Sequence, residues 1–395
     1  MKTIKDVDIS GKKVFIRVDF NVPMDSKQNI TEDTRIRTVL PTLEYALEKK
    51  AKIILASHLG RPKGKAVPEM SLKPVAPYLA KLIGKDVKMA PDCIGADVSA
   101  MVSSLKDGEI LLLENLRYHA GEEKNNPEFA KELSSLCDVY VNNAFAVSHR
   151  AHASVAAITE YAPVSVAGLL LSKEMDYFRK AMDNPKRPLV AILGGAKVSS
   201  KLAAIENMLQ HVDRVIIGGA MANTFLKSQG VSVGKSVVED DLLETAKQIL
   251  QHAREKNIDF ILPVDAVAAD KFEASATPRQ VKINEIPDDL MVLDIGPETV
   301  AAYSKAIEGA GTIVWNGPMG VFEMESFSKG TMELANNVAA SPALTIVGGG
   351  DTDAAVHKAN VQDKISYIST GGGAFLMLME GKVLPAVACL EKAGK

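Results

Sequence analysis

The chain has 395 residues, 47% hydrophobic and 24% charged, with a formal net charge of −3. That length exceeds the roughly 250–300 residues at which a single hydrophobic core stops growing, so two domains are expected. The charge balance supplies no field that would gather nucleic acid. No apolar run approaches the roughly 18 residues of a membrane span, and the amino terminus MKTIKDVDISGKK lacks the apolar core of a signal peptide.

Short runs rich in Val and Ile recur along the chain, each followed by a helix-length amphipathic stretch. The strands predicted in the first half are 13–18, 52–57, 109–113 and 138–142. Between the first two, the helical pattern Ile36, Val39, Leu40, Leu43, Leu47 contains Pro41, so that helix either begins late or is kinked. Leu170, Leu171, Met175, Phe178 and Met182 then keep helical spacing until Pro185 and Pro188, which reads as an interdomain helix. Predicted strands of the second half are 189–193, 214–218, 259–262, 290–294, 312–315 and 344–348. Apolar on both faces, such strands suit parallel sheets covered by helices, and two doubly wound α/β domains fit the count. Cys93, Cys137 and Cys389 stand far apart without CxxC spacing and read as small buried hydrophobes in a reducing compartment.

In open α/β sheets ligands bind beyond the carboxyl ends of the strands. First-half strands run into Arg17-Val-Asp19-Phe-Asn21, His58-Leu-Gly-Arg61, Glu114-Asn115-Leu-Arg117 and Asn142-Asn143 leading to Arg150. Guanidinium groups converging there would bind phosphate and carboxylate oxygens in pairs, which suits a small, multiply anionic molecule. Asp19 reads either as a partner for Arg17 or as an acceptor for a substrate hydroxyl, and His58 either as structural or as an anion contact.

Second-half strands end in glycine: Gly194-Gly195, Gly218-Gly219, Asn316-Gly317-Pro318, Gly348-Gly349-Gly350 and Gly371-Gly372-Gly373. Glycine lets the backbone approach a ligand closely, and a helix starting at once aims free N–H groups at phosphate. Lys197 and Lys201 are expected on one face of a helix opening after Gly195. Asp351 reads as a helix N-cap, as a ligand for Mg²⁺ riding on nucleotide phosphates, or as both. GxxxxGK[ST], GxGxxG after a strand, HRD, DFG and HExxH are all absent, so P-loop, dinucleotide, protein-kinase and zinc-protease readings fail.

The run VFIRVDFNVP (Val14 to Pro23) closely resembles the signature of phosphoglycerate kinases, and SHLGRP, LLLENLRYH, GGAKVSSK, WNGPMGVFE, GGGDT and STGGG follow in that family's order. The resemblance spans essentially the whole chain. It implies a phosphoglycerate-binding domain (1–170), an interdomain helix (171–184), a nucleotide-binding domain (185–375) and a tail (376–395) returning to the first domain. It also implies reversible phosphoryl transfer between 1,3-bisphosphoglycerate and ADP, in line, with domain closure, by a cytoplasmic monomer that needs Mg²⁺ and has neither nucleic-acid nor membrane partners.

By the same resemblance Asp19, Asn21, Arg35, His58, Arg61, Arg117 and Arg150 would hold 3-phosphoglycerate. Nucleotide would lie against Gly195, Gly219, Gly296, Pro318 and Val321, with Glu323 on the ribose. Lys201, Asn316, Gly350 and Thr352 would sit near the phosphates, and Asp351 toward Mg²⁺. Lys197, Arg35, Gly349, Gly371 and Gly372 would surround the phosphoryl group in flight. Asn143, Ala146 and Ser200 depart from the family pattern, which expects Asp, Gly and Asp. The rivals are a nucleotide-binding scaffold without turnover and another acyl-phosphate or sugar kinase; charge at the transfer point argues against the first, the arginine cluster against the second.

Overall fold

The computed structural model describes residues 1–394, and its contacts divide the chain into two units: Met1–Asp176 with the chain from Val383 onward, and Tyr177–Lys382. In the first unit a six-stranded parallel sheet is built from β1 (Lys13–Arg17), β2 (Lys52–Ala56), β3 (Val87–Met89), β4 (Ile110–Leu112), β5 (Val139–Asn142) and β6 (Ser165–Ala167). Their order is β3-β4-β2-β1-β5-β6. Alternate residues such as Val14, Ile16, Ile53, Leu55, Val139 and Val141 enter one continuous core with the adjoining helices. The carboxyl-terminal helix Pro385–Ala393 belongs to this unit: Ala386 packs with Ala144, Val147 and Val155, and its amide donates to the Ser148 carbonyl.

The helix pattern around Pro41 resolves into two pieces, Thr34–Arg37 and Leu40–Glu48, which places the proline in a first turn. There its missing N–H costs nothing, because first-turn amides have no partner within the helix. The helix Leu169–Met182 starts on a side-chain scaffold: Thr42 Oγ1 accepts from the Leu169 amide and donates to Asn143 Oδ1, which also accepts from the Leu170 amide. Asn143, one of the three departures, thus accepts from the Leu170 amide and the Thr42 hydroxyl, as an Asp could equally do.

In the second unit β7 (Leu189–Leu193), β8 (Arg214–Ile217) and β9 (Asp259–Ile261) come first, then β10 (Asp265–Ala269), β11 (Arg279–Lys282) and β12 (Met291–Ile295). β13 (Thr312–Asn316), β14 (Leu344–Gly348) and β15 (Tyr367–Ile368) complete it. The parallel sheet runs β15-β14-β13-β7-β8-β9, while β11-β10-β12 form a separate three-stranded sheet whose pairings are antiparallel. The apolar stretch 290–294, expected in the parallel sheet, therefore lies elsewhere. Its composition cannot distinguish the two fates, because a strand buried between layers is apolar in either.

Candidate active site

In register, the last residue of β1, Arg17, sits between Ala56 of β2 and Asn142 of β5. The chain leaves β1 toward β2 on one side and returns to β5 on the other, so the loops beyond these strands open a crevice where the connection changes direction. Arg17 is fully buried. Its Nε donates to Ser154 Oγ at 2.7 Å, Nη1 donates to the Val18 carbonyl, and Nη2 lies 3.8 Å from Glu122 and 3.4 Å from His58 Nδ1. Glu122, also fully buried, accepts from the Ser154 amide at 2.9 Å and from Ser154 Oγ at 2.6 Å. Asp19 therefore partners Arg35 instead of Arg17: Arg35 Nη1 donates to Asp19 Oδ2 at 3.0 Å and to the Asn21 carbonyl at 3.1 Å. Asn21 Oδ1 accepts from the Gly60 amide at 2.8 Å, and Arg117 Nη1 donates to the Gly60 carbonyl at the same distance. Arg150 is half-buried with its Nε donating to His149, whereas Arg61 is exposed.

These groups form one cationic surface. Burial and then the charges of Arg17, Arg117 and Arg35 hold the His58 pKa well below its ordinary value; burial and then Arg117, Arg17 and Arg150 bring His152 to about 3. Arg117 itself falls to about 10, through burial and the neighbouring Arg17. His152 should consequently show no imidazole titration between about pH 8 and pH 5 by NMR, and a midpoint near the free value of about 6.5 would contradict this. The linked sign is unambiguous for His152. Between about pH 6.5 and about 3 the unfolded chain binds a proton that the folded chain does not, so its contribution to stability declines as pH falls through that window.

In the second unit Asn316 of β13 pairs in register with Leu193 of β7 and Gly348 of β14, and the direction of connection changes between β7 and β13. Beyond this point lies a cavity of about 300 Å³ open to solvent. Gly195, Gly219, Pro318, Val321, Glu323 and Asp351 line it. Its glycines are dictated by contact: a Cβ on Gly219, at φ +68°, would meet Gly195 N at 2.6 Å, and one on Gly317, at φ +100°, would meet the Gly194 carbonyl at 2.2 Å. Sequence reasoning missed the apolar walls from Leu226, Val237, Phe272, Met291 and Leu293. They come largely from the antiparallel sheet and its loops, and no strand-end motif announces them. Gly296 stands apart from the wall, which Ile295 supplies instead. A Cβ at Gly296 would collide with Asp265, whose carboxylate accepts from the amides of Glu298 and Thr299.

The two lysines do not share a helix face. The helix after β7 begins only at Leu202, and Lys197 and Lys201 lie in the loop and turn before it. Ser199 is clamped to Glu239, its amide at 3.0 Å, and Ser200 Oγ bonds back to the Lys197 carbonyl at 2.8 Å, so the loop stays open past Gly195, itself at φ +121°. Lys197 is exposed, whereas Lys201 is drawn in. The Lys201 ammonium donates to the Asn316 carbonyl at 3.0 Å and to Asn316 Oδ1, and burial, partly opposed by Asp351, brings its pKa to about 8. Thr352 Oγ1 accepts from the Gly317 amide at 2.6 Å and donates to the Gly348 carbonyl, fixing two glycine loops to each other. The lone tryptophan, Trp315, is fully buried and donates from Nε1 to the Gly317 carbonyl at 2.8 Å.

Asp351 is not an N-cap. Gly349 takes that position for the helix Gly350–Lys358, and Asp351 stands in the first turn with its side chain exposed. A second helix, Gly372–Met379, starts beside it: a Cβ on Gly372 would lie 3.3 Å from the Gly349 Cα. Two helix amino termini, with their unpaired amides and positive dipole ends, are thus adjacent.

One unit with a cluster of arginines and one with a glycine-lined cavity beside paired helix amino termini define the class: a phosphotransferase built from two α/β units. The phosphoglycerate kinase family model matches residues 4–382. A phosphoglycerate kinase of Geobacter metallireducens is 60% identical over 387 residues, covering 98% of this chain and 97% of its own. That of Geotalea uraniireducens is 61% identical with the same coverage. The solved phosphoglycerate kinase from Coxiella burnetii superposes with a TM-score of 0.92 at 46% identity, and that from Pyrococcus horikoshii OT3 with 0.87 at 33%, each covering 100% of this chain and 99% of its own. The chain belongs to the phosphoglycerate kinase family. Its reaction is the reversible transfer of a phosphoryl group between 1,3-bisphosphoglycerate and ADP, giving 3-phosphoglycerate and ATP, in glycolysis. Its substrates are small molecules, and among the described residues no helix is long and apolar enough to cross a membrane.

Proposed function

We propose that the cationic surface of the first unit holds the acid and the cavity of the second holds the nucleotide. The observation that carries this is the gathering of Arg17, Arg35, Arg117 and Arg150 beyond the strand ends, whose charges add to burial in keeping His58 and His152 neutral: so concentrated a positive potential suits a ligand anionic at both ends. Asp19, Asn21, Arg35, His58, Arg61, Arg117 and Arg150 bind 3-phosphoglycerate. Exposed Arg61 meets the phosphate from outside, so Arg61→Ala should raise the KM for 3-phosphoglycerate roughly tenfold or more while leaving kcat nearly unchanged in a coupled assay with MgATP. An unaltered KM would remove Arg61 from the site.

The nucleotide lies along Gly195, Gly219, Pro318 and Val321, with Gly296 nearby and the exposed Glu323 at the ribose. Lys201, Asn316, Gly350 and Thr352 attend the phosphates. The exposed carboxylate of Asp351, close enough to Lys201 to act on its charge, has the hard oxygen chemistry that Mg²⁺ prefers. Bound there with the nucleotide, Mg²⁺ would neutralise phosphate charge.

The acceptor in the ATP-consuming direction is a carboxylate, ionised at neutral pH with a pKa of roughly 3.5–4, so no general base is needed. What remains is alignment and charge neutralisation, supplied by Arg35, Lys197 and the amides of Gly349, Gly371 and Gly372. In-line transfer requires the two bound substrates to meet in a dry space, so ligand binding closes the enzyme. Small-angle scattering should then give a smaller radius of gyration with both ligands than with neither; equal values would refute closure. We place the enzyme in the cytoplasm as a monomer, on the family resemblance.

A further inference from the structure

We propose that Asp92, Cys93 and His119 form a binding site for a transition-metal dication of the zinc type, separate from the catalytic residues. Among the described residues this trio brings one donor atom from each within 4.8 Å of the others, with His119 Nε2 only 2.7 Å from Asp92 Oδ1. Around a four-coordinate zinc ion, with nitrogen and oxygen at about 2.0–2.2 Å and sulfur at about 2.3 Å, neighbouring donors are separated by roughly 3.3–3.7 Å. The His119–Asp92 contact is shorter than that range and every donor lies within 4.8 Å of the others, so side-chain rotation can bring the three onto one ion. Thiolate, imidazole and carboxylate together are also the donor chemistry that zinc and cobalt favour over magnesium.

The surroundings supply an entrance and an orientation. Cys93 is fully buried, whereas the side chains of His119 and Asp92 are 30% and 45% exposed and open on a cleft with Ser71, Glu114 and Tyr118. An ion would enter from the cleft and keep one position for water. The His119 ring stacks on Phe129 with centroids 5.3 Å apart, which limits its rotation. Glu114 is not a fourth ligand, because its oxygens already accept from Ser71 Oγ and the Leu72 and Asn115 amides. The three groups already bond among themselves: Asp92 Oδ1 meets His119 Nε2 at 2.7 Å and accepts from the Cys93 amide at 2.6 Å, and the Cys93 thiol bonds to the Asp92 side chain, so a bound ion would replace the imidazole and thiol contacts.

Burial, followed by the charges of Asp92 and Glu122, raises the Cys93 pKa well above its ordinary value, so the thiol is neutral before binding. Ligation would form a metal–sulfur bond and release the thiol proton to solvent. His119 follows the turn Leu116–Tyr118, which carries Arg117, so the ion would tie that turn to the loop after β3.

The test is titration of the full-length, metal-free protein with Co²⁺. One equivalent should produce tetrahedral d–d bands and a thiolate-to-cobalt charge-transfer band in the near ultraviolet, with zinc displacing cobalt. Cys93→Ala should abolish the charge-transfer band and weaken zinc binding, measured against a chromogenic chelator, by at least about 100-fold, at or above the 10–100-fold seen on losing an outer-shell partner. Cys389→Ala should change neither. No band at one equivalent in the parent protein, or a band that survives Cys93→Ala, overturns the proposal. Should Cys93→Ala not fold, His119→Gln and Asp92→Asn alter partly exposed side chains, and unchanged zinc affinity in both overturns it equally.

Discussion

Arg35→Ala should lower kcat by roughly 10²–10³-fold, the usual cost of removing one preorganised donor from a transition state, with a smaller change in the KM for either substrate. The geometry gives the reason. Arg35 sits at the rim, 37% exposed, and only Nη1 is engaged, by Asp19 and the Asn21 carbonyl. The pinned nitrogen sets the plane of the guanidinium and leaves its remaining donors for ligand oxygens. Charge that develops between donor and acceptor oxygens is the charge such a group would stabilise. Arg35→Lys should recover only part of the loss, since an ammonium cannot hold Asp19 and reach outward in one plane. A kcat within about twofold of the parent would disprove the assignment.

Glu122→Ala should cost about 3–5 kcal/mol of stability, the range seen when one partner of a buried ion pair is removed. Both Glu122 and Arg17 have no solvent exposure. The substitution leaves the Arg17 charge buried beside Arg117 and strips the Ser154 amide and hydroxyl of their acceptor. It should appear as a lower denaturation midpoint by circular dichroism, at unchanged denaturant dependence. A midpoint within experimental error of the parent would show that the carboxylate is dispensable. Glu122→Gln keeps the hydrogen-bond acceptor but loses the charge, so its intermediate loss would separate the two contributions.

Glu122 also shows where sequence reading stops. The strands that carry Arg17 and His58 were legible because β1 and β2 are short Val- and Ile-rich runs, and the fold class followed from their repetition. The residues facing the crevice were legible because parallel sheets place them just after such runs. That Arg17 pairs with Glu122 instead of Asp19 was not, because 105 positions separate them and only tertiary packing joins them. β10 and β11 escaped for a different reason: DAVAA and RQVK are too small or too polar to look like strands, and their partner β12 then looked like one more parallel strand. Lys197 and Lys201 were misplaced on a helix because their four-residue spacing suits one; a clamp from Ser199 to Glu239, 40 positions away, and a local one from Ser200 to the Lys197 carbonyl keep that stretch unwound.

The single indole of the molecule gives the enzyme a built-in optical probe. Trp315 is tethered to the carbonyl of Gly317, whose backbone presses against Gly194 next to Pro318, a lining residue of the cavity proposed to take the nucleotide. Emission from that one ring therefore reports on Tyr177–Lys382 alone, so melting of this half can be followed without signal from the other. Occupancy by ADP or ATP should register as a change in its intensity, with no dye or label attached.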